Sequence, residues 1–249
     1  MKNFQALLLL TALLFCTACS SQDKEMVDHQ SPKKQAAPSS QQKVSVSNKT
    51  QTSLAANIGR RTAEEMVAAG FKRYGIEKGT LIFRMDGAVT GTENIYFDHW
   101  GWREGKYVQS QSDIGTFDQK KNTIQFLDGE RRYEYNSATG EAYFFESRQV
   151  QKAADRYGTK DMTIVGDEMI KNMGGVVMAK VKIRGVECEV WDVDNYKTEL
   201  SMWKGITMGE RSHPENLPVA RTCILLDTTS AVPLEKMILP EGVKLIPAN

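Results

Sequence analysis

Between residues 79 and 112 apolar and polar side chains alternate. Leu81, Phe83 and Met85 fall on one side of an extended segment, and Ile95 and Phe97 repeat that pattern on the next. Arg84, Asp86, Asn94 and Asp98 fall on the other side. A period of two is the signature of half-buried strands, and Gly87, Gly91 and the Gly101-Trp102 step punctuate the runs. The stretch therefore predicts the first three strands of an antiparallel meander. Residues 122–127 alternate as well, and Asp128-Gly129 turns them back into 130–135. Another turn at 136–140 leads into Glu141–Glu146. From 147 to 157 the period becomes helical, with Val150, Ala153, Ala154 and Tyr157 on one face. A second helical run follows over 161–173, where Met162, Val165, Met169 and Met173 form a stripe ended by Gly174-Gly175. Strands then resume over 176–183, 186–193, 198–204, 219–227 and 234–239, with Arg184-Gly185 as one turn.

Ahead of the meander, Thr62-Ala63-Glu64-Glu65 has capping-box spacing. Met66, Val67, Gly70, Phe71 and Tyr74 then recur at helical intervals up to Gly75. The sum is a mainly β fold with some α: about ten strands, an N-terminal helix and two helices inserted between runs of strands. A sheet that long must curl or be covered, and the apolar helices are the right size to fill its concave side. The fold class expected over residues 58–249 is a curved antiparallel half-barrel.

The first residues are of another kind. Lys2 precedes an apolar run over 6–15, too short for a lasting membrane span and suited to a signal-peptide core. It ends in Cys16-Thr17-Ala18-Cys19, followed by Ser20-Ser21. This resembles the bacterial lipobox, in which small residues precede a cysteine that is lipidated. Cys16 departs from it, because the family prefers leucine there. The resemblance implies that residues 1–19 are a leader and that Cys19 carries a lipid anchor with acyl chains such as palmitate. It also implies a place in the bacterial cell envelope, with Ser20 compatible with the periplasmic face of the outer membrane; plain secretion is the alternative. Residues 20–57 are Ser, Gln, Lys, Ala and Thr with almost no large apolar side chain, the composition of a disordered tether. Such a linker spans ~35 Å r.m.s..

A net charge of +1 leaves no basic excess for phosphates, which argues against a nucleic-acid partner. Of the three histidines, His29 lies in the tether, His99 ends a strand and His213 precedes Pro214. None has neighbours at zinc-ligand spacing. No Gly-x-Ser-x-Gly elbow, HExxH or phosphate-cradling glycine loop occurs. No catalysis, metal or cofactor is expected.

Two constellations remain. An oxidising envelope permits a Cys188–Cys223 disulfide. In a simple meander, however, residues 198–204 lie between their strands, which sets the Cα atoms about 9–10 Å apart, beyond bonding reach. Two buried free thiols are the other reading. Trp191 and Trp203 each lie opposite an apolar face of their own strands, so both faces of the sheet carry apolar material. With Trp100 and Trp102 they are the candidate ligand-side residues, and ordinary core packing is the other reading.

Thr92-Glu93-Asn94-Ile95-Tyr96-Phe97-Asp98, Gly101, Arg103-Glu104, Gly185-Val186-Glu187-Cys188-Glu189-Val190-Trp191, Met202-Trp203-Lys204-Gly205-Ile206 and Leu239-Pro240, in this layout, resemble the LolA/LolB-like half-barrel group of envelope proteins. The likeness is closer to an uncharacterised secreted family of that fold. It implies an apolar ligand, a lipid or lipidated cargo, sheltered against Leu81, Phe83, Met85, Ile95, Phe97, Trp191 and Trp203. The alternative is a tethered protein–protein module, which a tightly packed concave side would favour.

Overall fold

The structure, a computed structural model, describes residues 61–114, 117–147, 149–212 and 218–248. The expected leader and tether, with Cys19 and His29, lie outside the described residues, as does His213. Twelve strands form one sheet: β1 (Gly79–Gly87), β2 (Val89–Asp98), β3 (Arg103–Ile114), β4 (Phe117–Asp128), β5 (Arg131–Asn136), β6 (Glu141–Glu146), β7 (Val176–Ile183), β8 (Val186–Val193), β9 (Thr198–Trp203), β10 (Ile206–Ser212), β11 (Val219–Asp227) and β12 (Lys244–Pro247). Their order across the sheet is β12-β6-β5-β4-β3-β2-β1-β11-β10-β9-β8-β7. The sheet is curved and unclosed, the half-barrel class that the alternation implied. Every pairing is antiparallel except β12 on β6. The two meanders join where β1 pairs with β11, Phe83 opposite Cys223.

Among the described residues three α-helices accompany the sheet: α1 (Ala63–Ala68), α2 (Gln149–Tyr157) and α3 (Met162–Asn172). The capping box at Thr62 and Glu65 is formed in both directions. α1 is shorter than the pattern suggests, because Gly70 takes a left-handed φ of +85° and ends it. Phe71 and Tyr74 are buried beyond its end rather than on it. Two further expectations need correction. Ile206–Ser212 is a strand, and 234–239 is not: Leu234–Lys236 is a 3-10 turn in a segment that carries the chain toward β12.

The curvature can be read from one hydrogen bond. Arg184, in the β7–β8 turn, donates from Nε to the Cys223 carbonyl at 3.3 Å. In a flat sheet β8 and β11 are three strand spacings apart, roughly 14 Å. The hairpin end must therefore curl over the face of β10 and β11. The same curl brings Ile183 within van der Waals reach of Gly209 on β10.

Three groups of buried side chains hold this arrangement. The largest joins Tyr74, Leu81, Phe83, Ile95, Phe97, Cys188, Ile206, Met208 and Cys223 inside the curl. A second joins α1, α2 and α3 through Met66, Phe71, Trp102, Ala154, Met162 and Val165. In the third, Ile170 of α3 packs on Trp191, Val193, Leu200 and Met202. At about 25 cal/mol per Å² of apolar area, each fully buried Leu, Ile or Phe contributes about 1.5–3 kcal/mol.

Candidate functional site

The residues expected to line a ligand cavity are brought together only in part. Leu81, Phe83, Ile95 and Phe97 do meet, at 1%, 0%, 7% and 0% exposure, packed on one another and on Tyr74, Ile206 and Met208. Tyr74 and Phe97 stand edge to face, 4.9 Å between ring centroids. Met85 is half-buried further along β1. Trp203 packs against the same group, whereas Trp191 belongs to the contact with α3. The two tryptophans thus lie in separate clusters. Trp191 Nε1 is buried with no hydrogen-bond partner among the described residues.

At one end of the apolar core sits a charged network that sequence reasoning missed. Glu93 and Arg221, 5% and 8% exposed, are ion-paired. Arg221 Nε donates to Glu93 Oε1 at 3.0 Å and Nη1 to the Thr207 carbonyl at 3.0 Å. Lys106 Nζ lies 3.0 Å from Glu93 Oε2. The guanidinium also stacks on Phe83, 3.5 Å from the ring centroid. Burial alone would push the Glu93 carboxyl up; Arg221 and Lys106 overcome it and hold the group at about 2. Glu210, beside this network, is pushed up by burial and by Glu93, against the pull of Arg221 and Lys106. The available signal was weak: Glu93 and Arg221 share the parity of Ile95 and Cys223 on their strands, which puts them on the apolar face.

A second network closes the far end. Tyr74 donates its hydroxyl to Glu104 Oε2 at 2.7 Å, and Arg73 Nη1 donates to the same oxygen at 3.0 Å. Burial, with Glu104 adding to it, pushes the Tyr74 phenol well above its ordinary range although Arg73 opposes. These groups satisfy one another, which is what buried polar side chains need.

No disulfide joins Cys188 and Cys223; both are buried thiols. The expected intervening strand is in fact two, β9 and β10. The curl nevertheless gathers both cysteines into one core. Cys223 Sγ donates to the Leu225 carbonyl at 3.0 Å, and burial pushes both thiols up.

The opposite face of β2–β5 carries a ladder of rings. Tyr96, Tyr107, Phe126 and Tyr135 follow at 5.9, 6.1 and 6.3 Å between centroids. The segment before β12 lies over this face, where Tyr107 donates its hydroxyl to the Lys236 carbonyl at 3.1 Å. A hollow of about 150 Å³ remains between Asn94, Tyr96, Tyr107, Gln109 and Lys236. That is smaller than the ~300 Å³ at which ligand pockets begin.

The sheet has two outer strands. β12 has four residues and ends at Pro247. β7 has eight, and Val176, Val177, Met178 and Val181 are 54%, 48%, 66% and 39% exposed on it. Among the described residues no group of His, Cys, Asp and Glu could hold a metal ion, and no helix is long and apolar enough to cross a membrane.

No family model matches the chain, and no curated protein matches it. Solved structures that superpose on it include an uncharacterized conserved protein from Thermus thermophilus, at 8% identity and a TM-score of 0.42, over 75% of this chain and 99% of that one. MucB superposes at 11% identity and a TM-score of 0.37, over 74% of this chain and 65% of its own. LprF from Mycobacterium bovis does so at 8% identity and a TM-score of 0.31, over 73% and 96%. At identities this low and superpositions this loose, the likenesses carry no argument about function.

Proposed function

We propose that this chain is a non-catalytic binding module of the bacterial cell envelope, tethered through Cys19, which engages a partner protein along β7. The observation that carries it is the contrast between a filled interior and an open edge. Leu81, Phe83, Ile95 and Phe97 are spent on packing one another, so an acyl chain would have to displace them. At β7, by contrast, a full-length outer strand leaves apolar side chains and one row of backbone donors and acceptors to solvent. An extended segment of a partner can add there as a thirteenth strand, with main-chain hydrogen bonds giving affinity and side chains giving selectivity. Lys180 is already paired with Glu187 at 2.8 Å. Lys182 carries no ion pair among the described residues and favours a partner segment that brings an acid opposite it.

The test is site-specific photocrosslinking in native cells. A probe at Lys182 should give one discrete adduct, and the added substitution Met178→Asp should remove it. A probe at Ser137, in the β5–β6 turn, should give none. Equal adducts at both sites, or none at Lys182, would contradict the reading. The lipid-carrier reading has one supporting feature: Met202 and Met208 give adaptable side chains to the interior groups. Lipid bound stoichiometrically to the purified chain would favour it.

A further inference from the structure

We infer that the end of the fold built from residues 72–78, Trp100, Lys160 and the β9–β10 turn is a docking surface for an anionic phospholipid bilayer. Backbone hydrogen bonds tie these segments into one surface. Arg73 and Tyr74 donate N–H groups to the Trp100 carbonyl at 3.0 and 2.9 Å, and Trp100 N–H donates to the Glu77 carbonyl at 2.9 Å. Gly75 N–H donates to Lys204 at 2.9 Å and Lys72 N–H to Lys160 at 3.1 Å, again at the carbonyls. Lys72, Lys160 and Lys204 are exposed here. Along 72–78 the one carboxylate is Glu77, and the nearby Asp161 carboxylate is taken up in capping α3, accepting from Thr163 N–H at 2.9 Å. Lys72 and Lys204 carry no ion pair among the described residues.

Each of those two lysines instead lies beside an indole. Lys72 Nζ is 4.1 Å from the Trp100 ring centroid and Lys204 Nζ is 5.3 Å from that of Trp203. Both tryptophans are half-buried. His99 and Trp100 hold left-handed φ values of +51° and +59°, an unfavourable conformation for side-chain-bearing residues, and this turn sets Trp100 beside Lys72. Ile164, 49% exposed, stands in the first turn of α3, next to Thr163, which touches Gly205. Tryptophan with lysine is the pairing that settles at the headgroup level of a bilayer, and lysines there are drawn to anionic lipid.

The position of the chain selects a bilayer over other anionic partners. Residues 1–60 join the fold at Arg61, whose guanidinium lies 4.7 Å from the Phe71 ring centroid, next in sequence to Lys72. A lipid anchor at Cys19 is thus connected to the fold at this same end. The tether would hold the surface at high local concentration near the membrane. β7 is a separate surface, so this inference and the partner reading fail independently.

The experiment is vesicle co-sedimentation of the chain from residue 20 onward, which retains every described residue and lacks the apolar leader. The chain should sediment with phosphatidylglycerol-containing vesicles, be released by high salt, and stay in solution with phosphatidylcholine alone. The double substitution Lys72→Gln/Lys204→Gln should weaken partitioning about 30-fold with an unchanged circular dichroism melt, since both side chains are exposed. Equal binding to neutral vesicles, or a double variant that binds as the parent does, would overturn the inference. Binding to soluble polyglutamate without binding to vesicles would overturn it too, and would assign the surface to an acidic protein.

Discussion

Glu93 is a buried acid whose charge is kept because two cations face it. Its folded-state pKa lies below the ordinary 4.5, so the stability it contributes is fully present above that value. That stability is lost as pH falls through 4.5 toward about 2. Urea denaturation at a series of pH values should show this decline, and Glu93→Gln should flatten it. At neutral pH the same substitution should cost about 3 kcal/mol, because Arg221 is left as an uncompensated buried charge. Trp191 presents the opposite case. Its buried Nε1 has no partner among the described residues, a state that carries a desolvation penalty of about 1–3 kcal/mol. Trp191→Phe removes the unsatisfied donor while keeping a ring against Ile170 and Leu200. In thermal melts it should cost less than about 1 kcal/mol, against about 3–5 kcal/mol for a tryptophan cut back to alanine.

Among the elements, the segment before β12 depends most on a single small residue. A Cβ at Gly105 would overlap the Lys236 carbonyl. Met237, 2% exposed, is buried beside that crossing. Gly105→Ala should lift the segment off the sheet, lower stability by about 2 kcal/mol, and speed amide hydrogen exchange over β12 before β2 or β3. Exchange that rises uniformly across the sheet would contradict this local account. The segment was not legible in the sequence: Leu234 and Ile238 read as the apolar positions of a strand, yet both are exposed and Met237 is the buried one. β10 was missed for the converse reason. Gly209, Glu210, Arg211 and Ser212 look like a polar loop, and their strand character comes from β9 and β11 on either side. The β1–β2 alternation, the β4–β5 turn at Gly129 and the capping box were legible because each is set within a few residues. The pairing of β1 with β11, and the charged network that depends on it, was not: it joins segments far apart in sequence, and local periodicity does not encode register between them.

On the scale of the whole molecule, curvature decides what the interior can hold. A twelve-stranded sheet left open has a concave side that must be filled by a ligand, by helices or by its own side chains. Here Arg184 reaches across to Cys223, and Phe83, Phe97, Ile206 and Met208 fill the curl. The helices pack elsewhere, α3 against Trp191 and Leu200. The surfaces we propose as functional are therefore external: the outer strand β7, and the lysine–tryptophan end where the chain joins the fold. Native mass spectrometry of the chain from residue 20 onward, purified without detergent, tests this most directly. A filled curl predicts the bare polypeptide mass, unchanged after incubation with phosphatidylcholine, the neutral lipid that the lysine–tryptophan end does not attract; a stoichiometric phosphatidylcholine adduct that survives mild activation would contradict it.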